Sequence, residues 1–325
     1  MNHFETRLKA GDNTFKELFQ RYPYNPILTA KDWPYPVNVV LNPAATIFDG
    51  KVLLLARVED RRGFSHLTKA ISDDGISNWI IDRSPTMEPD PEHPEEAWGI
   101  EDPRITYMKD LKKYAVIYTA YSKDGPVVSM AMTEDFVNFE RIGPIMPPED
   151  KDATIFPCKF GEKWMLIHRP IEHGANIWIS CSNNLKYWGE NKILINSRGG
   201  TWWDGSKVGI CAQPLETSEG WLIMYHGVRQ TASGAIYRLG LALLDRENPI
   251  KVLRRSDEWV FGPQENYEKE GDVRDVVFSC GWVLDEKSEK IKMYYGAADT
   301  CIALATASLK EVLDYILSCP APDDP

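Results

Sequence analysis

Apolar residues in this chain come in short runs separated by polar turns, and the runs repeat as a set. One unit recurs five times: an apolar run, a polar turn, then a second apolar run that opens with Lys or Gly-Trp. The second runs are Lys51–Arg57, Lys113–Thr119, Lys163–Arg169, Gly220–His226 and Lys290–Gly296. Ahead of them stand Pro43–Phe48, Pro103–Met108, Ala153–Phe160, Gly209–Leu215 and Val276–Leu284, joined by turns such as Asp49-Gly50 and Gly161-Glu162. Short alternating runs bounded by Gly, Asp and Asn are the pattern of hairpin strands. A third alternating run follows in every unit (SHLTKAIS, VVSMAMT, ANIWISCS, YRLGLALLD, TCIALATAS). A short fourth run closes four units, for example Ile142–Met146 and Lys192–Ile195.

Four antiparallel strands repeated five times predict an all-β fold, a five-bladed β-propeller forming one domain over residues 1–325. A two-sheet sandwich gives no such repeat. The fifth unit lacks a fourth run, because Ser308–Cys319 reads as an amphipathic helix. The N-terminus is expected to supply the missing strand: Pro26-Ile27-Leu28 resembles Pro144-Ile145-Met146 and would pair onto the last blade. That closure removes an open sheet edge, which proteins avoid. Thr14–Tyr22 is expected to form a short outer helix. The N-terminal helix and closing strand then fill about 1–36, the blades about 37–307, and the C-terminal helix about 308–319.

A hairpin sets the start of its first strand beside the end of its second, so in a ring these positions gather at one mouth. The starts supply Asn42, Asp102 and Asp152, with Asp275 just ahead of its strand. The ends, at one register, supply Arg57, Thr119, Arg169, His226 and Gly296. Arg57, Arg169 and His226 in that register, with Lys207 in the loop RGGTWWDGSKVG, form a candidate anion site. Guanidinium forks suit phosphate or carboxylate. A single such residue at a strand end could be chance, and Lys207 taken alone reads as an exposed loop lysine. Asp102 lies in GIEDPR, its backbone restricted by the proline that follows. It is either a structural carboxylate or the acid that glycosidic cleavage needs to protonate the leaving oxygen. A hydrolase requires a second carboxylate to activate water, and Asp152 is the candidate. Phosphate as nucleophile requires none.

Trp98, Tyr121 and Trp202-Trp203 are candidates to stack on a sugar ring, whereas Trp79 and Trp188 are expected in the core. Pro85–Pro94 is either a rim loop over the mouth or a plain connector. No metal site is expected, since His168, His173 and His226 lack H-x-x-x-H or H-E-x-x-H spacing. Gly-rich phosphate loops and G-x-S-x-G elbows are also missing.

Composition narrows the partners. With 48 acidic against 37 basic residues and no Lys/Arg run, the formal net charge of -11 argues against nucleic acid and anionic membranes. No apolar stretch is long enough to span a bilayer, and MNHFETRLKAGDNTF lacks a secretory pattern. The expected location is cytoplasmic. Six scattered cysteines without a C-x-x-C pair read as buried, reduced thiols rather than disulfides or metal ligands. Eleven Trp and fourteen Tyr fit a β-rich or carbohydrate-handling protein.

GIEDPR (99–104), IHRP (167–170), SKVG (206–209), MYHGV (224–228) and YYGAADT (294–300) resemble, in this order, the motifs of glycoside hydrolase family 130. The resemblance covers about Asn42 to Thr306. It implies a five-bladed, often cytosolic protein and a β-mannoside phosphorylase that releases α-mannose 1-phosphate with inversion. It further implies that Asp102 is the general acid, acting through a hydroxyl of the mannosyl residue. Arg169, Lys207 and His226 would hold phosphate, with Arg57 close by, and Asn42, Arg104 and Asp299 would contact the mannosyl unit. Family hydrolases lack the His-Arg-Pro and Tyr-His-Gly residues, so their presence favours phosphorolysis with inorganic phosphate as co-substrate and no cofactor. Two departures stand out: Gly209-Ile-Cys-Ala-Gln-Pro214 replaces a Gly-x-Gly-Pro-Pro stretch, and Ser279 stands where proline is expected. A β-mannoside hydrolase using Asp102 with Asp152 and a non-catalytic sugar-binding propeller are the alternatives. The terminal helices are the candidate contacts of a homo-oligomer.

Overall fold

The computed structural model of the chain describes residues 17–171 and 175–322. It is all-β with few helical turns, and its strands follow one another in five antiparallel sets, the first two joined in one sheet by a parallel pairing of Ser65 with Gly99. The first unit comprises Val39–Phe48, Lys51–Glu59, Ser65–Ser72 and Ile80–Ile81. In the second, Gly99–Met108, Lys113–Ser122, Gly125–Thr133 and Glu140–Pro144 pair in sequence order. The third contains Asp150–Ile155, Trp164–Pro170, Ile177–Ser182 and Gly189–Ile195. The fourth has a split first strand (Lys207–Ile210 and Leu215–Thr217) against Gly220–Thr231, followed by Gly234–Leu244 and Val252–Arg255. The fifth contributes Val277–Asp285, Lys290–Ala297 and Cys301–Ser308.

The N-terminal segment completes the fifth unit, only in part through the apolar run expected to do so. Gln20–Arg21 forms the regular strand against Thr306 and Ala305, and Leu28 adds an isolated bridge to Ile302. Between them the Asn25 side chain continues the ladder, donating to the Leu304 carbonyl at 2.8 Å and accepting its N–H at 2.9 Å. Strand therefore replaces the expected helix at Gln20–Arg21, while the part of Thr14–Tyr22 before Glu17 lies outside the described residues. At the other end Leu309–Ser318 is helical, its first turn capped by the Ser308 hydroxyl. Val312 and Ile316 pack into the layer between the fourth and fifth units, so the helix uses its apolar face within the chain.

Apolar layers lie between consecutive units. Leu55 and Tyr118 share the layer between the first and second, Ile117 and Leu166 the next. Ile167 and Tyr225 link the third to the fourth, and Leu241 and Tyr295 the fourth to the fifth. Leu54 and Tyr294 close the series by joining the fifth unit to the first. First strands also meet across the centre. Gln213 of the fourth unit donates to the carbonyls of Ala45 in the first and Trp282 in the fifth. Arg104 of the second unit reaches Ile210 and Cys211 of the fourth. Trp79 and Trp188 are partly buried against these layers, as expected of packing residues. The six cysteines form no disulfide.

Gly281 marks a close backbone approach between the fifth and first units: a Cβ there would lie 2.1 Å from the Ala45 nitrogen. Backbone cannot retreat as a flexible side chain can. Gly281→Ala should therefore destabilise the fold by about 1–3 kcal/mol, read as a lower urea midpoint. An unchanged midpoint would contradict this packing.

Candidate active site

The polar residues read as strand starts sit inside longer strands, at β-bulges. Pairing slips between Leu41 and Ala44, between Glu101 and Arg104, between Lys151 and Thr154, and between Phe278 and Gly281. The bulged residues Asn42, Asp102 and Asp152 have φ of 42°, 47° and 51°. A left-handed residue turns its strand locally and re-aims the side chain, and Asn and Asp tolerate that conformation better than most residues. The register argument holds: Arg57, Thr119, Arg169, His226 and Gly296 pair with Leu41, Glu101, Lys151, Gly209 and Phe278. In four units the pair stands immediately before the bulge, whereas in the fourth the ladder runs on in register to Ile210 and Tyr225.

These positions converge. Asn42 donates through Nδ2 to Asp102 Oδ1 at 2.9 Å, and its own Oδ1 is buried without a hydrogen-bond partner. Gly296 makes room for it, since a Cβ there would come 2.1 Å from Asn42 Oδ1. Arg57 donates to Asp102 Oδ1 at 3.2 Å, to Glu101 at 3.1 Å and to the Ser65 hydroxyl at 2.9 Å. Arg169 donates through Nε to Asp152 Oδ2 at 2.8 Å, and its backbone N–H is held by Asp150. Lys207 Nζ donates to the Tyr237 hydroxyl at 2.8 Å. Tyr237 in turn stacks on the His226 ring.

Charge balance explains the titration behaviour. Burial pushes the Asp102 carboxyl up, but Arg57, Lys151, Arg104 and the Asn42 amide bring it below its ordinary value. Burial likewise opposes ionisation of Asp152, and Arg169, Arg104 and Lys151 outweigh it, leaving that carboxyl far below the usual range. Asp299 goes the other way: burial and the neighbouring Asp102 charge raise it to about 6 against the pull of Arg57. Two carboxylates competing for one set of cations thus separate, one ionised and one holding its proton more readily.

Three expectations change. His226 is not a cation: burial lowers it to about 3 although Asp152 pulls upward, so it enters the site as a neutral imidazole. Arg104, expected against the mannosyl unit, is 1% exposed and donates to the backbone carbonyls of Asp102, Ile210 and Cys211. It braces the Asp102 bulge from beneath. Trp203 is 5% exposed, with its indole N–H on Asp257 and its ring against Tyr225, so it has no face for a sugar.

Trp98 and Tyr121 remain partly exposed, edge to face at 5.4 Å, and Trp202 lies open beneath the Arg198 guanidinium. Asp275, also left-handed, is not gathered with the others; its carbonyl accepts from Tyr237. Lys151 was missed by the sequence reading, yet its charge bears on Asp102, Asp152 and Asp299. Its position directly before a bulge aspartate, matching Glu101 before Asp102, was the available signal.

The segment Pro85–Pro94 is tied down rather than free. Met87 bridges to Leu67, and Arg141 binds Asp90, Glu96 and the Glu88 carbonyl. Beside it His93, Glu95 and Glu96 lie close enough to share an ion. Glu96, however, already accepts from the Tyr118 hydroxyl, Arg141 and the Asp90 N–H.

A family model described as beta-1,4-mannooligosaccharide phosphorylase matches residues 17–318. A beta-1,4-mannooligosaccharide phosphorylase of Ruminococcus albus is 32% identical over 93% of this chain and 92% of its own length. A beta-1,2-mannobiose phosphorylase of Listeria innocua is 37% identical over 78% of this chain and 71% of its own. The solved structure of beta-1,2-mannobiose phosphorylase from Listeria innocua with beta-1,2-mannobiose superposes with a TM-score of 0.83 at 30% identity, covering 92% of this chain and 99% of that one.

The raised Asp299 carboxyl has a consequence for stability. Its folded value of about 6 exceeds its ordinary 3.8, so the folded state binds the proton more tightly than the unfolded one. Stability from this group is present below about pH 4 and is lost as pH rises towards 6. Asp299→Asn should therefore be more stable than the wild type at pH 7, with the gain vanishing near pH 4. Urea unfolding at both pH values checks this, and an equal difference at both would refute it.

Proposed function

The chain belongs to glycoside hydrolase family 130, and from that premise we propose that it is a mannoside phosphorylase. It cleaves a β-linked mannoside with inorganic phosphate, transferring the mannosyl group to give α-mannose 1-phosphate and an acceptor sugar. The five units are read as blades of a five-bladed propeller. Support comes from the apolar layers between all consecutive units, the last and first included, and from first strands that meet across the centre. The site then lies at one mouth, where the bulges face inward.

The observation that carries this reading is the state of Asp152. Hydrolysis with inversion needs a second carboxylate free to take a proton from water. Asp152 is gripped by Arg169 at 2.8 Å, faces Arg104 at 3.6 Å, and is held far below the usual carboxylate range. So weak a base suits the hydrolytic role poorly. Phosphate arrives already anionic and needs no base, only cations to hold it, and Arg169 and Lys207 stand ready with neutral His226 as a hydrogen-bonding group.

Asp102 supplies the leaving-group proton through a sugar hydroxyl in this reading, which requires it to be protonated when substrate is bound. Phosphate brings a second anion into the pocket and so offsets the Arg57, Lys151 and Arg104 charges that keep Asp102 ionised in the free protein. An added negative charge raises a carboxyl. In this reading the orphaned Asn42 Oδ1 and partly buried Asp299 receive sugar hydroxyls beside it, and Tyr121 offers a ring face at the rim.

The test uses β-1,2- and β-1,4-mannobiose, with and without phosphate. Mannose release should require phosphate for at least one linkage. Asp102→Asn should slow turnover by about 10²-fold or more. Lys207→Ala should raise the phosphate KM about 10-fold or more, as expected for a charge-assisted hydrogen bond worth about 1.5–3 kcal/mol. Release at the same rate without phosphate would overturn the proposal.

A further inference from the structure

The anion pocket contains an anion of its own. Asp152 occupies in the third unit the bulge position that Asn42 and Asp102 occupy in the first and second, so it belongs to the same inward-facing set. Its Oδ2 accepts from Arg169 Nε and lies 3.7 Å from His226 Nε2. Its Oδ1 accepts no hydrogen bond among the described residues. The Arg104 Nη2 nitrogen 3.6 Å from it donates to the Ile210 carbonyl instead. Each carboxylate oxygen has room for two donors, so Asp152 keeps acceptor capacity beside two of the groups assigned to phosphate. Gly209 preserves the arrangement, for a Cβ there would lie 2.7 Å from Asp152 Oδ2 and 2.4 Å from His226 Cε1.

We propose that Asp152 makes this pocket specific for phosphate, by accepting a hydrogen bond from a phosphate O–H that proton-free tetrahedral anions lack. The inference rests on the phosphorylase reading of the same site. Inorganic phosphate keeps at least one proton throughout the neutral range, so it brings a donor to Asp152. Sulfate and monofluorophosphate match it in shape and charge but carry no proton there. For them Asp152 is an uncompensated like charge, and like charges placed face to face repel strongly. A site built to receive an O–H rejects analogues without one. The carboxylate thus weakens Arg169 as a general anion binder and in exchange selects which anion enters.

Calorimetric titration of the wild-type protein with phosphate, sulfate and monofluorophosphate tests this directly. Both proton-free anions should bind more than about 10-fold more weakly than phosphate. Discrimination of about 10-fold or less for either one overturns the assignment. Asp152→Asn keeps the shape and offers an amide donor, so its preference for phosphate over sulfate should shrink by at least about 10-fold. An unchanged preference in the folded variant also overturns it, and if that variant fails to fold the wild-type titration still decides. Equal binding of phosphate and sulfate alongside phosphate-dependent mannose release would remove only the role of Asp152. Binding of none of the three anions would remove the phosphate pocket and this proposal with it.

Discussion

Carboxylates buried at the centre of a β-fold must be matched by cations or carry a proton, because an isolated ionised carboxylate away from water is strongly unfavourable. Asp102, Asp152 and Asp299 all meet this condition, in different ways. Asp102 is balanced by Arg57 with Asn42 as donor, Asp152 by Arg169 and Arg104, and Asp299 by partial retention of its proton. Arg57 and Arg169 come from second strands, while Arg104 and the carboxylates at the bulges come from first strands. Every unit must therefore keep its hairpin register for the centre to be neutralised. Stability and chemistry share one constraint here.

That constraint accounts for residues whose part is indirect. Arg104 spends its donors on backbone carbonyls from two units and so fixes the bulge that presents Asp102. Asp150 holds the Arg169 N–H and the His168 ring, and His168 in turn meets the Ser180 hydroxyl at 2.7 Å. This buried chain locks the strand end from which Arg169 projects. Gly296 and Gly209 leave the space that Asn42, Asp152 and His226 occupy. In the proposed reaction, substrate binding would perturb a balance already set, and phosphate entering beside these cations would change which carboxyl holds the proton.

The repeated units were legible because alternating runs and Asp-Gly or Gly-Glu turns are local signals. The register of Arg57, Arg169 and His226 was legible for the same reason, since hairpin pairing fixes which residues face each other. The bulges were not: a polar Asn42, Asp102 or Asp152 interrupts an apolar run and reads as its beginning, although the strand starts several residues earlier. The closing segment was legible in part: Leu28 pairs with Ile302 as its apolar run implies, but the regular strand falls at Gln20–Arg21, which carries no apolar pattern and whose ladder continues through the Asn25 side chain. The charge state of His226 and the inward role of Arg104 depend on burial from other units, which no local pattern encodes. Lys151 had a signal, its place before a bulge aspartate, that becomes readable once the bulge is known.

The central claim is that phosphate, held by cations around a locked Asp152, attacks the mannosyl carbon directly with Asp102 assisting departure. Product analysis by ³¹P and ¹H NMR during turnover of β-mannobiose tests it most directly. The account predicts a mannosyl phosphate of α configuration as the first-formed product, in equal amount with free mannose. A β-configured phosphate, or free mannose alone with phosphate unconsumed, would contradict it.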